Sequence, residues 1–141
     1  MSQKKKLQVF VSSTYEDLKQ ERQAAVEAIL TAKHIPAGME LFASGDESQM
    51  SVIKRWIDQS DVYLLILGGR YGSIELKSGK SYTHLEFEYA LEKGKALFSV
   101  VINDKALKER AKKYGLEVVE RDNKPKLDDF LKTVKSNVVR Y

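Results

Sequence analysis

Ser60-Asp61-Val62-Tyr63-Leu64-Leu65-Ile66-Leu67-Gly68-Gly69-Arg70-Tyr71-Gly72, followed after a short loop by Ser81-Tyr82-Thr83-His84-Leu85-Glu86, decides the fold. Asp61 to Leu67 is apolar without interruption, as a parallel strand covered by helices on both faces should be. The glycines end it, and a helix from Thr83 to Lys93 follows, stopped by Gly94. In open α/β sheets ligands sit beyond the carboxyl ends of the strands. Arg70, Tyr71, Tyr82, Thr83 and Glu86 are therefore expected around one crevice.

Working outward, Leu7 to Ser12 reads as a first buried strand. Thr14 to Lys33 reads as a helix with Leu18, Ala25, Ile29 and Ala32 on one stripe. Ser13 with Glu16, or Thr14 with Asp17, forms a plausible capping pair at its start. His34-Ile35-Pro36 ends it, because proline cannot continue a helix. Gly38 to Phe42 is expected as the second strand. A helix capped by Asp46 or Ser48 then runs to about Gln59, with Met50, Ile53 and Ile57 facing inward. Ala96 to Ile102 forms a fourth strand, Asp104 to Tyr114 and Lys126 to Lys135 two more polar helices, and Val138 to Tyr141 the start of a fifth strand. The alternation predicts an α/β three-layer sandwich: a flavodoxin-like parallel sheet of about five strands, order 2-1-3-4-5, with right-handed crossovers.

Residues 1–141 fit one domain with a single core, since 43% of them are hydrophobic. The final strand runs into the last residue without a tail, which suggests the N-terminal part of a longer protein. The chain has no run of about 20 apolar residues, so no membrane span is expected. Lys4 to Lys6 have the charge of a signal peptide without its apolar stretch. Cysteine is absent, which excludes disulfides, thiol nucleophiles and thiolate metal sites. The expected location is cytoplasmic. A net charge of +4, spread over interleaved acids and bases, carries no nucleic-acid motif.

The candidate site combines several short elements. Ser12, Ser13 and Thr14 bring three hydroxyls to a helix start, where free N–H groups favour an anion such as phosphate. Simple capping explains one or two of them equally well. Glu40 and Phe42 share a face of the second strand. Phe42 suits a base or the core, and Glu40 needs a partner, either Arg70 in an inter-loop ion pair or a ligand. Gly69 and its neighbours permit close approach of a backbone or ligand. Thr83 and Glu86 have the spacing of a capping box; against that reading, Glu86 and Ala90 share a helix face beside the glycine loop. His84 lies off that face, and with one other histidine in the chain no metal is assigned. Ser73 to Lys80 is a surface loop or a lid.

Together, Val9 to Leu18, Gly38 to Phe42, Ser60 to Tyr63, Gly68 to Gly72 and Ser81 to Ala90 resemble a bacterial and eukaryotic domain family of unknown function. Its members often stand at the N-terminus of signalling or defence proteins, some with NACHT-type ATPase modules. That family is similar to Toll/interleukin-receptor (TIR) domains and nucleoside deoxyribosyltransferases. In both groups a glutamate stands four residues before a small residue on the helix after the third strand, as Glu86 and Ala90 do. The resemblance implies cleavage of an N-glycosidic bond in NAD or a related nucleotide, with Glu86 stabilising or trapping the anomeric carbon. It implies no cofactor, a nucleotide-like ligand as substrate, self-association, and contact with other domains of the parent protein. The TIR proline-glycine loop after the second strand is not recognisable; Pro36 and Gly38 precede that strand. Asp61, at the other end of its strand, lies roughly 20 Å from Gly68 at about 3.3 Å per residue, so no second carboxylate serves as acid. NAD is then the better substrate, because nicotinamide leaves as a neutral group without an acid. The alternative is a non-catalytic sensor or protein-interaction module.

Overall fold

The computed structural model describes residues 5–38 and 49–137, the backbone alone at 49. Its elements are β1 (Gln8–Ser12), α1 (Lys19–Thr31), β2 (Ile35–Gly38), α2 (Gln49–Asp58), β3 (Val62–Leu67), α3 (Tyr82–Glu92), β4 (Ala96–Val101), α4 (Asp104–Tyr114) and α5 (Lys124–Ser136), with a short 3-10 turn at Leu116–Val118. The fold is α/β. Four parallel strands form the sheet among the described residues, in the order β2-β1-β3-β4. That order agrees with the expected one and is consistent with a flavodoxin-like arrangement, but the sheet has four strands rather than five. The expected fifth, 138–141, lies outside the described residues.

The layers follow from side-chain alternation along the strands. Phe10, Tyr63, Leu65 and Leu67 face α2, α3 and α5, packing on Ile53, Ile57, Phe87, Ala90, Leu127, Phe130 and Val134. Val11 and Ile66 face the other way, against Leu18 and Ile29 of α1. No helix among the described residues is long and apolar enough to cross a membrane.

Two boundaries differ from expectation in ways that shape the site. Among the described residues the second strand is Ile35–Gly38, so pairing with β1 begins three residues before the expected Gly38; the rest of the expected strand, 39–42, lies outside the described residues. Pro36 is tolerated because β2 is an edge strand, where a missing N–H can face outward. The chain turns directly from α1 through Lys33, whose φ is 66°, into that strand. His34 then accepts a hydrogen bond from the Leu7 amide at 3.1 Å, tying the turn to β1. Helix α1 begins at Lys19 rather than Thr14, with Leu18 at its cap position and no capping side chain. Thr14 donates to Asp17 instead, a local bond that folds residues 13–18 into a loop across the strand ends.

Candidate functional site

Helix α3 sets the position of the key acid. Its cap is Ser81, which accepts a hydrogen bond from the His84 amide at 3.1 Å, and the helix starts at Tyr82. The cap thus stands two residues earlier than the Thr83 expected. A reciprocal capping glutamate must lie three residues after the cap; Glu86 lies five after it, on a turn with no orphan amide to reach. Its carboxyl turns to β1 and accepts from the Ser12 hydroxyl at 2.6 Å.

A buried polar network surrounds this contact. Ser12, Ser13, Glu86 and Arg22 are all buried, Glu86 being 4% exposed and Arg22 2%. Arg22 rises from α1 and donates to the Ser13 hydroxyl at 2.8 Å, and Ser13 passes its own proton to the Thr14 carbonyl at 2.6 Å. Burial raises the Glu86 pKa to about 7, against the Ser12 hydrogen bond and the Arg22 charge, which both favour the carboxylate. Tyr63 stands in the same recess. Burial, and then the Glu86 charge, push its phenol well above the ordinary range, with the Ser12 hydroxyl opposing. Its oxygen is nevertheless outside hydrogen-bonding geometry with any partner among the described residues.

Above this layer opens a cavity of about 680 Å³, whose wall includes Ser13, Thr14, Arg70, Gly72, Tyr82 and Thr83. Five of the expected site residues, Ser13, Thr14, Arg70, Tyr82 and Thr83, therefore meet in one hollow at the strand ends. Ser12 and Glu86 lie outside its lining, joined to it through Ser13. Gly72 allows the approach of the two walls: its φ is +98°, and a Cβ there would sit 2.9 Å from the Thr14 methyl.

Other expected residues stand elsewhere. Gly69 serves a backbone contact, since a Cβ would come within 2.3 Å of the Val118 carbonyl oxygen. Its own carbonyl accepts from the Glu120 amide at 2.7 Å. Tyr71 turns into the core, 1% exposed, with its hydroxyl 2.7 Å from Nδ1 of His84. Arg70 lines the cavity, but its Nε is 3.7 Å from Glu120 and it donates to the Glu117 carbonyl at 3.0 Å. Glu40 and Phe42 lie outside the described residues. Asp61 accepts from the Gln8 amide at 2.9 Å, at the far end of the sheet.

The match to a family model decides the chain's affiliation: the model described as Domain of unknown function (DUF4062) matches residues 8–141. The chain belongs to this family. No curated protein gave a significant match.

In this DUF4062 domain, three site-forming residues escaped the sequence reading. Arg22 carried a signal: it stands four residues after Leu18 and seven before Ile29, on the apolar stripe of α1. A charged residue at such a position needs buried partners. Tyr63 looked like one more apolar position of β3. Glu120, which is buried, accepts from the Tyr71 amide at 2.8 Å and pairs with Arg70; the charged run around it gave no sign of burial. Among the described residues no group of three or more His, Asp or Glu is placed to hold a metal ion.

Proposed function

We propose that this domain binds a nucleotide in the cavity above Ser13 and Thr83 and acts on its N-glycosidic bond through Glu86, with NAD as substrate. The observation that carries the reading is the escape of Glu86 from its own helix cap to Ser12, next in the chain to Ser13 and Thr14 of a hollow that also holds Thr83, Arg70 and three carboxylates. The resemblance of Ser81 to Ala90 to TIR domains and nucleoside deoxyribosyltransferases supports this reading, since Glu86 stands on the helix after the third strand. Within a longer signalling or defence protein, such a domain would sense or consume the nucleotide on behalf of its neighbours.

The chemistry suits a carboxyl whose pKa is about 7. A cationic nicotinamide ring near Glu86 favours the carboxylate over the acid. As the C1′–N1 bond breaks, its electron pair goes to the ring nitrogen and cancels the ring's charge. The positive charge passes to the ribose as an oxocarbenium ion, which the carboxylate stabilises. Water then adds to C1′ and releases a proton. The free enzyme's kcat/KM is expected to rise with pH through about 7 and level off above it, as Glu86 ionises.

One observation favours a second reading, binding without turnover. Glu86 is 4% exposed and outside the cavity's lining, so the resting domain seals the acid from any ligand. Incubating concentrated protein with NAD, its phosphate form and nucleosides, and assaying released base, separates the two. Release that vanishes in Glu86→Gln supports the glycosidase; tight binding with no release supports the sensor. Absence of both binding and release refutes the nucleotide reading altogether.

A further inference from the structure

The loop of residues 13–17 lines a second hollow as well. This second cavity, of about 410 Å³, shares Glu16, Asp17 and Glu117 with the first and extends to Lys19, Arg110 and Tyr114. Each hollow is of a size to take one moderately sized ring system with its sugar. Aromatic rings line both, Tyr15 and Tyr82 the first and Tyr114 the second.

The far end is built in advance. Arg110 is held by Glu21 at 2.6 Å and by the Asp17 carbonyl at 2.7 Å, which pins α4 to α1 and to the loop between the cavities. Burial is slight there, and the Glu21 hydrogen bond dominates, raising the Arg110 pKa. Tyr114 is 47% exposed, with the guanidinium of Arg110 5.8 Å and the Lys113 ammonium 5.2 Å from its ring centre. An exposed ring beside a fixed guanidinium is a stacking platform for a base, sequence-tolerant and planar. At the near end Thr83, a buried residue, lines the first cavity.

Charge narrows the ligand further. Three carboxylates (Glu16, Asp17, Glu117) and three cations (Lys19, Arg70, Arg110) line the two cavities together, so their formal charge cancels. A nucleoside triphosphate, with about four negative charges, gains nothing from such a cleft. A dinucleotide with a cationic ring carries one net negative charge and suits it better.

Resting on the nucleotide reading above, we propose that the ligand is a pyridine dinucleotide that spans both cavities, its second nucleoside stacked on Tyr114 and Arg110. Isothermal titration of Glu86→Gln protein, which removes turnover, tests this with NAD, nicotinamide mononucleotide and ATP. NAD is expected to bind at least tenfold more tightly than the mononucleotide, and ATP more weakly than NAD. Tyr114→Ala should bring NAD down to the mononucleotide's affinity and leave the mononucleotide unchanged, while Tyr114→Phe should behave as the parent. Equal affinities for NAD and the mononucleotide in the parent overturn the spanning mode while leaving the nucleotide reading intact. Equal weakening of both by Tyr114→Ala overturns it too. Binding of neither overturns both readings.

Discussion

Glu86 and His84 stand two residues apart on α3, which at 100° per residue aims them to nearly opposite sides of the helix. Each is a titratable group set inward, and their surroundings could hardly differ more. Glu86 meets hydroxyls and a cation: Ser12 at 2.6 Å, with Arg22 held close by Ser13. His84 is wrapped by rings. It stacks on Phe130 with centroids 4.3 Å apart and planes 16° from parallel, and meets Tyr71 edge-on while sharing a 2.7 Å hydrogen bond with its hydroxyl. Burial lowers the His84 pKa, with the Lys80 charge adding to it and the Glu88 and Asp129 charges opposing. The same desolvation that raises the acid therefore lowers the base. One island sets an ionisable acid among hydroxyls and a buried cation; the other ties α3 to Tyr71 by a hydrogen bond and to α5 by a ring stack.

The contrast is open to attack by substitution. The largest effect is expected from Phe130→Ala, which removes the ring that His84, Tyr71 and Phe87 all pack against. Denaturant unfolding should show a loss of about 4 kcal/mol, typical of a buried Phe→Ala change. Phe130 itself does not line the cavity, so on the proposed reading nucleotide binding should survive wherever the variant remains folded.

Stability against pH comes next, because the two islands slope in opposite directions. Glu86 is protonated in the folded state up to about 7, whereas the unfolded chain ionises near 4.5. Its contribution is therefore complete below pH 4.5 and falls as pH rises to about 7, by about 3 kcal/mol at 1.36 kcal/mol per unit. His84, with its folded pKa below 6.5, loses stability as pH falls through that value, since the unfolded chain takes up the proton first. The two slopes partly cancel in the parent protein. Urea melts across pH 4.5–7.5 should show stability falling with pH in His84→Gln and rising with pH in Glu86→Gln. The same direction in both variants would break the comparison.

Arg22→Met sharpens it. Loss of the cation should cost about 2 kcal/mol more at pH 8, where Glu86 must ionise unaided, than at pH 5, where it is protonated. A pH-independent loss would mean that Arg22 acts only by packing. The smallest effect is expected from Tyr71→Phe, about 1 kcal/mol for one buried hydrogen bond, read as a shift in urea midpoint with unchanged slope.

Much of the architecture was legible because apolar runs and helical stripes are local signals. The bounds of β1, β3 and β4 fall within one residue of those expected, and Ile53 and Ile57 are fully buried as the α2 stripe requires. Ile35 to Ala37 was missed as strand because Pro36 was read only as a helix breaker, when an edge strand accepts it. The site was half legible. Ser13, Thr14, Arg70, Tyr82 and Thr83 could be gathered because all follow the ends of two strands. The sealing of Glu86 could not, since it depends on a cap moved from Thr83 to Ser81 and on a partner 74 residues away. Tyr71 and Gly69 share a short segment with Arg70, yet one enters the core and the other meets the Val118 carbonyl. Neighbours in sequence there are not neighbours in function.

Amide chemical-shift mapping of the nitrogen-15-labelled domain with NAD tests the account most directly. Saturable shifts are predicted at Thr14, Gly72 and Thr83, with Val134 and Ile57 in the opposite core unmoved. Shifts confined to the groove between α1 and α4, around Val100 and Ala106, or none at millimolar NAD, would contradict it.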